Sequence, residues 1–366
     1  MSTETKPAAS GPSAPATAPA GRSVADRLLQ AVLTQRIVLL VVLIVLVVGV
    51  LMTMGANGYL TADYDTDYLS AALIDAVPLA LLGLAQLVVI VSGRGGIDLS
   101  VGAIVSLVGM LFGFAYGQWG WPLWISVIYA MIAGGVLGAV NGLLVARIGF
   151  PALIATLATY YAYKSIALVI NGQKPINSPE IQDLYSLTSS TSIPVIGDYV
   201  PDVPLGVFTF LLPVLVVLWL VLARGTYGRR LYAIGTNDVA ARHAGVNVAG
   251  TRMRAYIISG VLSGLVAVYV TAQFASARPD AGTSGSGMAL PAITIAVLGG
   301  VAITGGIGRI AGVVLATVLI VWLNAGIILA FTGNAGTQFQ LLALGVVLIL
   351  AALLNGLTQR RYGGAR

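Results

Sequence analysis

The sequence predicts an all-α integral membrane protein of about ten transmembrane helices. Three observations carry that prediction. Only 9% of the residues are charged, against ~25% in an ordinary soluble domain, which leaves too little polar surface to clothe a soluble chain. Mean hydropathy is +0.94. The apolar residues fall in long unbroken runs, whereas a transmembrane barrel would show alternating segments of ~10 residues.

The elements follow in order. Residues 1–23 are rich in Pro, Ala, Ser and Thr with almost no large apolar side chain, and read as a disordered cytoplasmic tail. A secretory signal is not expected, because the small-residue triplet precedes the hydrophobic run and that run is too long. Residues 24–366 form one transmembrane domain. A span takes ~20 mostly apolar residues. Candidates lie near 37–54, 68–92, 99–116, 121–146, 151–171, 205–223, 253–275, 288–304, 308–330 and 338–356. The third and eighth are short and border glycine-rich seams, so eight full spans plus re-entrant pieces compete with ten. Two connections exceed a turn: an external loop at 172–204 with several prolines, and a basic loop at 224–252. Loops of that length in a compact protein are commonly functional.

Orientation follows from the basic residues. With the N-terminus inside, all of the 19 Lys and Arg except Lys164, Lys174 and Arg278 fall on the cytoplasmic side. Asp63, Asp65, Asp67, Glu180, Asp183, Asp198, Asp202 and Asp280 fall outside. Both termini are therefore expected in the cytoplasm of a bacterial cell whose inner membrane the chain crosses. The net charge of +6 is thus a topology signal among membrane lipids, and no nucleic-acid partner is expected. With no cysteine and one histidine, His243, there is neither a disulfide framework nor a multi-histidine metal site. No cofactor and no catalytic constellation is expected, and the rival reading is a proton-coupled secondary transporter with Asp75 or Asp98 titrating.

The stretch SGRGGIDLSVG at 92–102 places charges in a glycine cluster between apolar runs. Gly93, Gly95 and Gly96 permit a tight reversal or close helix approach. Asp98 or Ser100 is then available to cap the third span, and Arg94 to reach water at the interface. The other reading has Asp98 facing a polar pathway, as intramembrane acids commonly do. Gly96, Ile97 and Gly102 recur as Gly306, Ile307 and Gly312 at one constant offset, a faint internal repeat. Gln86, Asn141, Gln273 and Asn324 lie within spans as neutral hydrogen-bonding groups, suited either to line a solute pathway or to bond between helices. Asp75 and Lys164 are expected to pair with each other, which would remove a buried charge.

In 224–252, Asn237 suits a helix N-cap, Asp238 the first turn, Arg242 and His243 the last turn, and Gly245 the stop. Ala240, Ala241 and Ala244 make a small face able to sit close in another protein's groove. A helix lying on lipid would carry bulky Leu, Phe or Trp, and this one has none.

GGIDLSVGAIVSL, together with 231–267 (LYAIGTNDVAARHAGVNVAGTRMRAYIISGVLSGLVA) and 276–320, resembles the permease subunits of ribose-type ABC sugar importers in the order and spacing of all three blocks. The resemblance covers roughly 70–356. It implies the ABC importer permease fold and a subunit that carries no ATPase. It also implies a second permease copy or paralogue, a cytoplasmic ATP-binding subunit docked through a coupling helix matching 237–246, and an extracytoplasmic sugar-binding protein. The chain contains no G-x-x-x-x-G-K-[ST] pattern, so the energy source is another polypeptide. It departs from the family at Met288-Ala289-Leu290-Pro291-Ala292-Ile293, where an acidic residue is usual, and that leaves the sugar open.

Overall fold

The computed structural model describes residues 35–191, 201–284 and 287–362. The tail expected at 1–23 lies outside them. Among the described residues, nine helices are long and apolar enough to cross a membrane. These are α1 (Arg36–Ala56), α2 (Thr66–Val91), α3 (Val101–Gln118), α4 (Leu123–Ile148) and α5 (Ala152–Val169), followed, after a short loop helix α6 (Pro179–Asp183), by α7 (Val207–Arg224). Beyond α7 come two short helices, α8 (Thr226–Thr236) and α9 (Asp238–His243), and then α10 (Val248–Gln273), α11 (Ala289–Leu298), α12 (Ile310–Ala330) and α13 (Asn334–Tyr362). The connection between α5 and α7 adds a two-residue antiparallel ladder, β1 (Ser190–Thr191) against β2 (Val203–Pro204).

The eighth expected span is the correction. Instead of crossing at 288–304, α11 has 10 residues, about 15 Å at the helical rise, roughly half the bilayer core. The reason is local. The run before it, RPDAGTSGSGM, is polar and glycine-rich, and Gly287 and Gly300 on either side of the helix adopt φ of +65° and +89°. The backbone ahead of α11 instead descends beside α3, where the Gly282 amide donates to Ser106 Oγ at 2.9 Å. Non-helical backbone at that depth is tolerated because it is packed inside protein. Among the described residues, nine helices long enough to cross and one half-helix therefore replace ten full spans.

The helices sort into a centre and a ring. The apolar windows of α2 and α10 are 83% and 78% buried, while those of α1 and α13 are 6% and 11% buried. The centre is cemented by α2 side chains such as Leu84, Leu87 and Ile90 against Ile295, Val297 and Val313 of α11 and α12. The ring leaves its apolar faces for lipid or a partner. Helices α4 and α10 approach most closely, through Gly134, Gly138 and Gly142 on one and Gly260 and Gly264 on the other. A Cβ at Gly142 would lie 2.9 Å from the Met253 carbonyl oxygen. Small residues at four-residue spacing are what allow membrane helices to meet backbone to backbone.

Candidate functional site

The helix ends define two poles. At one, the basic pole, lie the α2–α3 turn, α8, α9 and the starts of α10 and α12, with Arg94, Arg229, Arg230, Arg242, Arg254 and Arg309. The loops at the acidic pole carry Asp63, Asp65, Asp67, Glu180, Asp183 and Asp280.

The glycine turn at the basic pole is a true left-handed reversal. Gly93, Arg94 and Gly95 have φ of +79°, +58° and +64°. Gly96 is different: its φ is ordinary, but a Cβ there would stand 2.8 Å from the Val89 carbonyl oxygen. The turn packs on two others, since a Cβ at Gly93 would meet Gly235 Cα at 3.0 Å and the Gly306 amide donates to the Val91 oxygen at 3.0 Å. Tyr232 of α8 donates to the Gly308 oxygen at 2.8 Å, and burial pushes its phenol above the ordinary value.

From this turn the chain re-enters the protein, carrying Asp98 and Ser100 to full burial. Asp98 Oδ1 accepts from the Ser100 amide (3.0 Å) and from Ser100 Oγ (2.6 Å), and Oδ2 accepts from Ser259 Oγ (3.0 Å). Gln86 clasps the Asp98 backbone, donating to its oxygen at 2.5 Å and accepting from its amide at 3.2 Å. Asn141 Nδ2 donates to Ser100 Oγ at 2.7 Å, and Thr159 donates to Asn141 Oδ1 at 2.6 Å. Asp98 does not cap α3 directly. It holds Ser100, the residue before the helix, and ties α2, α3, α4, α5 and α10 into one knot. Gln86 and Asn141, read from sequence as pathway candidates, are consumed here with their carboxamides bonded.

The other two candidates go elsewhere. Gln273 and Asn324 line an open cavity of about 450 Å³ near the acidic pole, together with Asp75, Tyr68, Phe274 and Gln340. Gln273 Nε2 donates to Asp75 Oδ1 at 2.8 Å. The expected Asp75–Lys164 pair does not form. Lys164 lies over the Tyr160 ring of its own helix, 5.7 Å from the centroid, and Asp75 finds its partner on α10, which borders the same cavity.

The segment 237–245 folds as its caps require. Asn237 Oδ1 accepts from the Val239 and Ala240 amides at 3.1 and 3.0 Å, and Gly245 ends the helix at φ +80°. Asp238 Oδ2 stands 3.0 Å from Arg94 Nε and 3.7 Å from Arg252 Nη2, and Arg252 also donates to the Ser92 oxygen at 3.1 Å. Arg94 thus reaches not only water but the next loop. Arg252 is 3% exposed, and a buried guanidinium needs such partners. Nothing in the sequence reading marked it. One expectation is corrected: Ala241 is buried in the chain's own core, so the outward face is Val239, Ala240, Arg242, His243 and Ala244. In this helix of six residues the alanines at 240 and 241 point about 100° apart, and Ala241 is the one that faces the chain's own core.

A family model described as branched-chain amino acid transport system, permease component, matches residues 68–352. The chain belongs to this permease family. It is a multi-pass membrane permease, a component of a transport system and not an enzyme. It is 32% identical over 293 residues to the autoinducer 2 import system permease protein of Klebsiella pneumoniae, covering 80% of this chain and 85% of that one. Against the D-allose transport system permease protein of Escherichia coli it is 32% identical over 305 residues, with coverages of 83% and 88%. Against the ribose import permease protein of Bacillus subtilis it is 34% identical over 262 residues, with coverages of 71% and 76%. No solved structure matches.

Proposed function

We propose that this permease imports a monosaccharide or sugar-like molecule as the membrane subunit of an ABC importer in the bacterial inner membrane. It pairs with a second permease copy or paralogue, receives its solute from an extracytoplasmic sugar-binding protein, and docks a cytoplasmic ATP-binding subunit on α9. The relatives named for ribose, D-allose and autoinducer 2 support the solute class. The observation that carries the docking is α9 itself: a capped helix at the basic pole, outside the crossing helices, bound through Asp238 to Arg94 in the α2–α3 turn. ATP-driven displacement of α9 then reaches the transmembrane core through that pair. The basic asymmetry supports cytoplasmic termini, with 172–204 outside.

The test is reconstitution with the ATP-binding subunit and the binding protein, reading uptake of D-ribose and D-allose beside ATP hydrolysis. Ala240→Arg, on the outward face, is expected to weaken capture of the ATP-binding subunit at least tenfold, because docking would strand the new charge. Uptake that persists without the ATP-binding subunit would sink the ABC reading. A reporter fused at residue 190 that signals cytoplasm would reverse the orientation.

A further inference from the structure

The cavity near the acidic pole holds more hydrogen-bonding capacity than the protein uses. Gln273 Nε2 is bonded to Asp75 Oδ1, and Gln340 Nε2 donates to the Asn324 backbone oxygen at 3.2 Å. Among the described residues, Asp75 Oδ2, the Gln273 and Gln340 carboxamide oxygens and the Asn324 carboxamide have no protein partner. The cavity's volume of about 450 Å³ lies within the ~300–1,000 Å³ usual for a small-molecule site. Its polar lining is one carboxylate and three carboxamides, set in an apolar wall that includes the Tyr68 and Phe274 rings and aliphatic side chains such as Leu79, Met288 and Ile328.

This inventory selects a ligand chemistry. A hydroxyl donates once and accepts twice, a carboxamide does both, and a carboxylate accepts only. A neutral molecule with several hydroxyls on a ring therefore satisfies the free groups, and its C–H face suits the aromatic wall. A metal cation does not fit. Asp75 is the one acid among the residues lining the cavity, and no cluster of three or more His, Cys, Asp or Glu occurs among the described residues. Gln273 holds the carboxylate plane from α10, so Oδ2 is presented in a fixed direction. A fixed acceptor reads the configuration of the carbon that bears the hydroxyl.

We propose that this cavity is a hydroxyl-recognition site on the import route, with Asp75 as the residue that discriminates stereoisomers and Gln273 as its positioning residue. The proposal rests on the sugar-permease reading above.

The chain has no cysteine, so a single introduced thiol reports cleanly. Leu79→Cys lines the cavity and removes none of its polar groups. In the reconstituted complex, its labelling by a membrane-impermeant maleimide is followed with D-ribose and D-allose, each against its L-enantiomer. The D-sugar that the complex imports is expected to slow labelling at least threefold more than its mirror image. Adding Asp75→Asn should bring the two to equality and raise the half-saturating concentration for uptake about tenfold, the loss of one charge-assisted hydrogen bond (about 1.4 kcal/mol). Asp75→Glu should recover part of the uptake but not the enantiomer ratio. A purely structural Asp75 would lower labelling protection by both enantiomers alike. No uptake of either sugar by the unsubstituted complex removes the functional reading. Uptake with equal protection by both enantiomers, or with an enantiomer ratio that Asp75→Asn leaves unchanged, removes the site and spares the function. If Asp75→Asn does not assemble, the enantiomer comparison in Leu79→Cys alone decides.

Discussion

Asp98 and Asp75 are both met by α10, Asp98 by Ser259 and Asp75 by Gln273. Their surroundings are opposite. Around Asp98 both oxygens are occupied, the neighbours Gln86, Ser100 and Asn141 are fully buried, and the donors are Ser100, just ahead of α3, and Ser259 of α10. Around Asp75 one oxygen is engaged, and the other shares an open cavity with the unbonded oxygens of Gln273 and Gln340 and the Asn324 carboxamide. A saturated buried network specifies one arrangement of helices. An unsaturated one beside a cavity is built to take a ligand. Intramembrane position alone does not separate the two, and the count of unused donors and acceptors does.

The largest expected effect tests the turn that delivers Asp98. Gly96→Leu should abolish recovery of assembled permease, since its Cβ would press on the Val89 carbonyl and neither backbone can yield. Normal yield from detergent extracts would show that the turn is softer than its contacts. Next, Asp98→Asn should lower the unfolding midpoint in detergent, by an equivalent of about 1–3 kcal/mol, because an amide nitrogen in place of one carboxylate oxygen cannot accept the hydrogen bond donated there. Asp75→Asn, measured the same way, should stay within about 0.5 kcal/mol of the parent. Equal losses would erase the distinction drawn above, and an Asp98→Asn protein of unchanged stability that has lost transport would move Asp98 into the pathway. Smaller again is Thr159→Val at the rim of the knot, about 1 kcal/mol for one hydrogen bond. Lys164→Met should be smallest, at most about 0.5–1 kcal/mol for a ring contact. A larger loss would mean that Lys164 makes a contact beyond the Tyr160 ring.

Much of this was legible in the sequence where the signal is local. Helix positions follow from apolar runs, and Asn237 and Gly245 bracket α9 because caps act within a few residues. What was not legible depends on distance along the chain. Gln86 and Gln273 are the same residue type in similar apolar company, and their different fates are set by partners 12 and 198 positions away. The Asp75–Lys164 pair failed for the same reason, since charge complementarity says nothing of which helix faces which. Ala241 turned inward because α9 packs on its own chain, which the alanine pattern does not reveal. The shortened α11 had a readable cause, the polar glycine run ahead of Met288. The ladder Gly134-Gly138-Gly142 was also there to be found at four-residue spacing.

Helix α10 runs 26 residues without a break, about 39 Å at the helical rise. Near one end Arg252 meets Asp238 and Ser92, further along Ser259 meets Asp98, and at the other end Gln273 meets Asp75. Its seam with α4 brings the two backbones into direct contact at Gly134, Gly138, Gly260 and Gly264, so the pair is braced like a single beam. A beam has no internal clock. Under the function proposed above, a tug on α9 and the release of a guest at the far cavity would be two ends of one displacement, carried by one helix instead of by a chain of separate switches.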